Sequence, residues 1–392
     1  MYFKERATRI VKDLYKYRNS SVNIHTLISE ICSLFDCASK EYLSPQDYKF
    51  LRYIASDIGI PQYYDLLCLK KDNNENELCL SDVLAATQDA TLYVDDDVLL
   101  HRYQKEVFDC FVSGNQNRYF LSAPTSFGKT YIIYEIIKKM SYDNAVLIFP
   151  TIALLGENYL KLLDLKKRST FWSQYSIHTL SDEEPLNQKN LWIYTPERFM
   201  SFIDKHRIQQ FDFIFIDEIY KIDNQYIIDV ETIGENERDV SFRIALFDTC
   251  LRSKDILLAG PYITFPDEKR NRSLEFFLKD NNFIVLNYNN IEIVNKCFLS
   301  VQEKKEYSID DLAFKITSKE KKKKLLTILD AISRKESITE EGTIVYCSKK
   351  VEVESLAKYL VKNLDIYHCQ SQDAKDFIAH IATVFGDTWI VV

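Results

Sequence analysis

The sequence predicts an α/β protein built on a parallel β-sheet, with a helical domain ahead of the sheet and a second, incomplete α/β domain behind it. Three observations carry that prediction. Residues 1–96 space apolar side chains at intervals of three and four, as helices do. Residues 97–280 alternate short continuous apolar runs with helix-like stretches, the pattern of parallel strands covered on both faces. Residues 281–392 restart that alternation, most clearly at 343–361.

In the first segment, apolar spacing predicts helices at 24–35 and 48–58, with Ser44-Pro45 breaking the chain between them. The polar run at 70–77 reads as an exposed loop, and nothing in the segment suggests chemistry. It is expected to be an accessory or docking domain. In the second segment, strands are expected at 118–122, 145–150, 191–195, 213–217 and 256–260. Helices are expected between them at 129–140, 152–166, 197–205 and 240–251. Sheets of this kind bind ligands at the carboxyl ends of their strands. The third segment opens with strand-like runs at 283–288 and 292–301. Its last residues, Trp389-Ile390-Val391-Val392, stop inside an apolar run, from which an incomplete domain is expected.

A length of 392 residues fits two or three domains, and a 46% hydrophobic content supplies ample core. Gly and Pro number only 8 each, so each glycine is informative. The net charge of −8 advertises no polyanion partner. It excludes none either, because a local basic cleft acts over only about 8 Å at physiological salt. The 9 cysteines form no CxxC pair and no Cys/His cluster at zinc spacing, so reduced thiols are expected. The charged start MYFKERATRI lacks the apolar core of a signal peptide. No run approaches the ~20 apolar residues of a membrane span. A cytoplasmic protein with no membrane contact is expected.

The strand at 118–122 leads into Ala123-Pro124-Thr125-Ser126-Phe127-Gly128-Lys129-Thr130, and a helix follows. Strand, turn and helix are the setting a phosphate-binding P-loop requires. Backbone N–H groups of Thr125, Ser126 and Phe127 and of the helix start converge there. Gly128 permits close approach, Lys129 supplies a point charge to the β/γ phosphates of ATP, and the Thr130 hydroxyl ligates Mg²⁺. Ala123 departs from the general pattern by one methyl group. A second apolar strand ends in Asp217-Glu218. One carboxylate is needed to hold Mg²⁺ and another to orient and deprotonate water, so Asp217 is assigned to the metal and Glu218 to the water. The triphosphate is expected to face an ion held from a neighbouring strand tip.

These residues resemble a superfamily two helicase of the DExH branch, which includes the RNA-exosome and archaeal DNA-repair helicases. The likeness rests on APTSFGKT and FIFIDEIY, with further matches in the family's order from about 98 to 392. It implies two RecA-like domains, the first carrying the P-loop motor site. Leu100-His101-Arg102-Tyr103-Gln104 resembles the adenine-reading segment, which implies Tyr103 and Gln104 at the base. Phe149-Pro150-Thr151 and Tyr194-Thr195-Pro196-Glu197-Arg198 resemble the two strand-gripping motifs. Thr151 and Thr195 would then meet DNA or RNA backbone phosphates at helix starts set by Pro150 and Pro196. Arg198 fits a phosphate contact or a cap on its own helix equally well. The run TIVYCSK at 343–349 resembles the opening strand of the second motor domain.

Three departures matter. Tyr220 stands where the branch usually has His. Ala259-Gly260-Pro261 replaces a Ser-Ala-Thr coupling motif and removes both hydroxyls. The chain also ends before the late arginine motifs, which typically contribute about 10³–10⁵ in rate, so ATP binding with poor hydrolysis is expected. The dispersed histidines suggest no ligand set, and His101 reads as a packing residue. The Lys321 to Lys324 run reads as the solvated face of a helix whose apolar side is Leu325, Leu326 and Ile328.

The expected function is an ATP- and Mg²⁺-dependent helicase or translocase. Two other readings stand beside it: an ATP-gated switch that controls a partner without processive unwinding, and a non-enzymatic binding fragment. The composition and the unfamiliar N-terminal segment are also similar to the motors of bacterial anti-phage systems, such as Hachiman-type helicases. That likeness implies a partner effector such as a nuclease, docked through the N-terminal domain.

Overall fold

The computed structural model describes residues 3–19, 23–71, 79–95, 98–181, 189–207, 209–219, 237–263, 273–294, 306–309, 312–333 and 350–363. The chain forms two compact units, Met1–Asn295 and Lys296–Val392.

The first unit opens with five helices: α1 (Phe3–Arg18), α2 (Ile24–Lys40), α3 (Pro45–Asp57), α4 (Gln62–Lys71) and α5 (Leu80–Ala90). The break read at Ser44-Pro45 is a helix start. The Ser44 hydroxyl accepts from the Asp47 N–H while the Asp47 carboxylate accepts from the Ser44 N–H, and Pro45 takes the first turn, where no N–H is needed. A short antiparallel pair, β1 (Tyr93–Asp95) and β2 (Val98–Leu99), leads into α6 (Arg102–Cys110).

The sheet follows in βα order. It comprises β3 (Arg118–Ser122), α7 (Lys129–Met140), β4 (Asn144–Ile148), α8 (Ile152–Arg168), α9 (Thr170–Ser173), β5 (Tyr175–His178), β6 (Lys189–Tyr194) and α10 (Pro196–Lys205). Then come β7 (Phe211–Ile216), α11 (Glu237–Arg252), β8 (Ser253–Gly260), α12 (Ser273–Asp280) and β9 (Ile284–Asn287). Seven strands pair in the order β5-β6-β4-β7-β8-β3-β9, every neighbouring pair parallel. The α/β class with a parallel sheet is therefore as the sequence predicts.

The strands read as continuous apolar runs because both faces are buried. Leu147, Ile193, Phe213 and Phe215 pack with Ile132, Ile133, Ile136 and Ile137 of α7 on one face. The alternate residues Val146, Ile148, Ile214 and Ile216 pack with Phe199 and Phe202 of α10 on the other.

Two arrangements differ from the sequence reading. The run at 283–288, expected to open the second domain, supplies β9, the edge strand beside β3, with Tyr119 opposite Ile284. The N-terminal helices, expected as a domain of their own, share the first core with the sheet, since Ile10, Leu27 and Ile31 join the same cluster as Phe213. Gly59 fixes this junction. Its φ of +81° is left-handed, and a Cβ there would lie 2.4 Å from the Arg102 Cβ, a distance no side chain tolerates. The close approach lets the Arg102 N–H reach the Gly59 carbonyl at 2.8 Å and the Arg102 guanidinium reach the Asp57 carbonyl at 2.8 Å.

In the second unit the described residues form an antiparallel pair, β10 (Glu306–Ile309) with β11 (Leu312–Lys315), and helices α13 (Lys321–Ser333) and α14 (Lys350–Asn363). Lys321, Lys322 and Lys323 are exposed and Leu325, Leu326 and Ile328 half-buried, in keeping with a solvated helix face. The strand read at 343–349, most of the run at 292–301, Tyr220 and the segment 389–392 lie outside the described residues. Among the described residues no helix is long and apolar enough to cross a membrane.

Candidate functional site

The loop at 123–130, the acidic pair and the starts of α8 and α10 lie at the carboxyl edge of the sheet, because parallel strands deliver their following loops to one side. After β3 the chain makes a short 3₁₀ turn, Thr125–Phe127, before α7 begins at Lys129. Gly128 joins the two at φ 76° and ψ 35°, and a Cβ there would meet the Gln104 amide nitrogen at 2.5 Å. A side chain at 128 would thus carry both backbone strain and a clash.

Lys129 is 8% exposed, and its Nζ donates to the carbonyls of Ala123 (3.1 Å) and Pro124 (2.9 Å). Burial pulls its ammonium below the ordinary lysine range, while the Asp217 and Glu218 carboxylates pull it back up. The loop and the acidic pair therefore act on each other, although they are not on adjacent strands. The expectation of a neighbouring strand tip is corrected here: β8 lies between β3 and β7. Two strand spacings amount to roughly 10 Å.

Asp217 continues β7 by donating its N–H to the Ile148 carbonyl, and its Oδ1 accepts from the Glu218 N–H at 2.9 Å. Glu218 then turns sharply, at φ 51°. That left-handed conformation is costly for a residue with a Cβ, by about 1 kcal/mol or more, and is characteristic of functional turns. Both carboxylates are half-buried. Ser126 adds a buried hydroxyl with no protein partner inside the loop. A left-handed glycine, a buried ammonium, an unsatisfied loop hydroxyl and two carboxylates fit a phosphate chain with a divalent ion. Thr130, in the first turn of α7, is half-buried and Thr125 is exposed.

The segment expected to read adenine is tied to the loop itself. His101 and Gln104 form a reciprocal cap at the start of α6: the Gln104 N–H donates to His101 Nδ1 at 3.1 Å, and the His101 N–H donates to Gln104 Oε1 at 3.2 Å. Nδ1 is thereby the acceptor, so the ring proton sits on Nε2, 3.2 Å from the Phe127 carbonyl. Gln104 Nε2 donates to the same carbonyl at 3.0 Å. Phe127 is fully buried, its ring 5.0 Å from His101 and 5.3 Å from Tyr288. Tyr103 is also buried, 6.1 Å from Tyr288. Gln104 thus braces the loop, and His101, read from the sequence as a packing residue, packs on Phe127 and also bonds its carbonyl. Its place at a helix start was the available signal.

Burial pushes the His101 imidazole down to about 4 from the ordinary 6.5, the Phe127 carbonyl opposing the shift. Between those values the unfolded chain takes up a proton that the folded site refuses. The stability linked to neutral His101 is therefore complete above 6.5 and falls as pH drops towards 4. About 2 kcal/mol should be lost by about pH 5, read by urea unfolding, and His101→Asn should flatten that dependence. An unchanged pH slope in the variant would contradict the assignment.

At the two expected gripping motifs, Thr151 and Thr195 cap their own helices: their hydroxyls accept from the N–H groups of Leu154 (3.3 Å) and Arg198 (3.4 Å). Pro150 and Pro196 are buried, and Pro196 takes the first turn of α10. The Arg198 guanidinium donates to the Thr179 carbonyl at 2.9 Å.

Residues 101–254 match the family described as DEAD/DEAH box helicase. Over 267 residues it is 25% identical to anti-bacteriophage protein B of Escherichia coli (strain K12), the match covering 68% of this chain and 32% of that protein. The chain thus spans about a third of the length of this relative. The crystal structure of the Pyrococcus furiosus Hef helicase domain is also similar, at 15% identity and a TM-score of 0.32, over 48% of this chain and 39% of that one. The matched stretch runs from α6 to the start of β8 and holds the loop and the acidic pair.

Proposed function

We propose that the chain is the motor portion of an ATP-dependent nucleic-acid helicase or translocase that binds Mg-ATP at residues 123–130. The supporting observation is the buried Lys129 ammonium held by loop carbonyls, its charged form favoured by the Asp217 and Glu218 carboxylates. The loop N–H groups and Lys129 hold the phosphates, with Thr130 and Asp217 holding Mg²⁺. Glu218, turned by its left-handed backbone, orients water and takes its proton. Bound Mg-ATP supplies the phosphoryl centre whose hydrolysis drives the cycle. The N-terminal ends of α8 and α10 face the backbone of a DNA or RNA strand. Their N–H groups, and not the buried Thr195 hydroxyl, make the contact.

The test is ATP turnover with and without single-stranded DNA or RNA, joined to strand displacement on a tailed duplex. Stimulation by at least about tenfold together with displacement supports the reading. No stimulation by either nucleic acid overturns it.

A second reading is favoured by the turn Ala259-Gly260-Pro261, which offers no side-chain hydroxyl for coupling. In that reading the motor is a nucleic-acid-sensing switch over a partner effector in anti-phage defence, and stimulated turnover would occur without displacement.

A further inference from the structure

Beside the nucleotide loop lies a buried polar knot that the motor reading does not use. Ser122, 1% exposed, is the last residue of β3 and immediately precedes the loop. Its hydroxyl accepts from the Ile263 N–H at 2.8 Å and lies 2.6 Å from Asn289 Oδ1 and 2.9 Å from the Ile263 carbonyl. With one proton to give, it favours the shorter contact. Asn289, 8% exposed, closes the triangle by donating from Nδ2 to the Ile263 carbonyl at 2.7 Å. Three places meet here: the strand feeding the loop, the turn after β8, and the segment that follows β9.

Each arm of the knot leads somewhere. Ile263 packs against Gly260, where an added Cβ would lie 2.5 Å from Ile263 Cδ1 and 3.2 Å from Cγ2 of Ile219. Ile219 follows Glu218, so the turn packs against the side chain next to the acidic pair. On the other arm, Tyr288 donates its N–H to the Ser122 carbonyl at 2.8 Å, lays its ring against Phe127 of the loop and donates its hydroxyl to Glu106 at 2.8 Å. Five residues beyond Tyr288, the Ile293 carbonyl accepts the Tyr63 hydroxyl of α4, and His25 of α2 lies against the Asn290 backbone. Residues 287–294 therefore run from the nucleotide loop, where the contacts are buried, to the N-terminal helices, where they are half-buried.

We propose that Asn289 is a positioning residue that, with Ser122, ties residues 288–294 to the state of the nucleotide loop and so carries nucleotide occupancy to the N-terminal helices. The knot takes the place of the side-chain hydroxyls absent from Ala259-Gly260-Pro261, supplying a hydroxyl and an amide from the two flanking elements. A neutral, fully paired buried network suits this task, because moving any one member leaves a buried polar group unsatisfied and forces the others to follow. The proposal rests on the reading that Mg-ATP binds at 123–130.

Amide hydrogen exchange on the full chain tests it, with and without Mg-bound non-hydrolysable ATP analogue, beside a direct binding titration. Exchange should slow by about tenfold or more at 124–129 and also at 288–294 in the unaltered chain. In Asn289→Ala the Kd should stay within about threefold and 124–129 should still respond, while the response at 288–294 is lost. A knot that served stability alone would lower the unfolding midpoint but leave that response intact. Ser122→Ala, which removes a single hydroxyl, should reproduce the loss and decides the matter if Asn289→Ala does not fold. The proposal is overturned if both variants keep the response at 288–294, or if 288–294 ignores nucleotide in the unaltered chain while 124–129 responds. Absence of binding in the unaltered chain, equal to Lys129→Ala, instead overturns the nucleotide reading and this proposal with it.

Discussion

Lys129→Ala should weaken Mg-ATP binding by at least about a hundredfold and reduce turnover to background. The ammonium already sits in a dry place, 8% exposed, and its charged form is sustained by Asp217 and Glu218. In that setting, charge-assisted bonds to phosphate are worth about 3 kcal/mol together, which is about two decades in Kd. Removing the side chain also leaves the Ala123 and Pro124 carbonyls without the donor they share, so a modest fall in stability should accompany the loss. Isothermal titration and thermal unfolding on one sample separate the two effects. A variant that folds and binds nucleotide as tightly as the parent would remove Lys129 from the phosphate site.

Glu218→Gln should have the opposite profile: Kd within about threefold and kcat lower by about 10²–10⁴ in the full-length protein. Glutamine keeps the size of the side chain and meets the same backbone cost at φ 51°, so the comparison isolates the carboxylate as a proton acceptor. A normal kcat in this variant would give the task of deprotonating water to another group. Together the two substitutions divide binding from chemistry, which neither does alone.

Most strands and helices between 118 and 260 were legible because their signals are local, although α9 and the short edge strand β5 were not among those expected. Continuous runs such as FDFIFI at Phe211–Ile216 mean burial on both faces, and the helix predicted at 129–140 is α7 to the residue. The edge strand β9 was misplaced because half of an edge lacks a neighbour: Ile284 and Val285 remain 58% and 42% exposed, so its run carries no mark of which sheet it joins. The phosphate loop and the acidic pair were readable as motifs, and the structure brings them into electrostatic reach of each other. Partner choices over long sequence distances were not readable. Nothing near Gln104 announces that its amide answers the Phe127 carbonyl, nothing near Arg198 points to Thr179, and Ser122 and Asn289 are 167 residues apart.

The strand order has a consequence for birth on the ribosome. β3 is flanked by β8 and β9, so Tyr119 waits for Leu257 on one side and Ile284 on the other. The helices of the first 90 residues make mostly local contacts and can condense while synthesis continues. β3, by contrast, gains its second neighbour only when translation has passed Asn287, and a nascent chain halted before that point holds an open sheet edge beside the Gly128 turn.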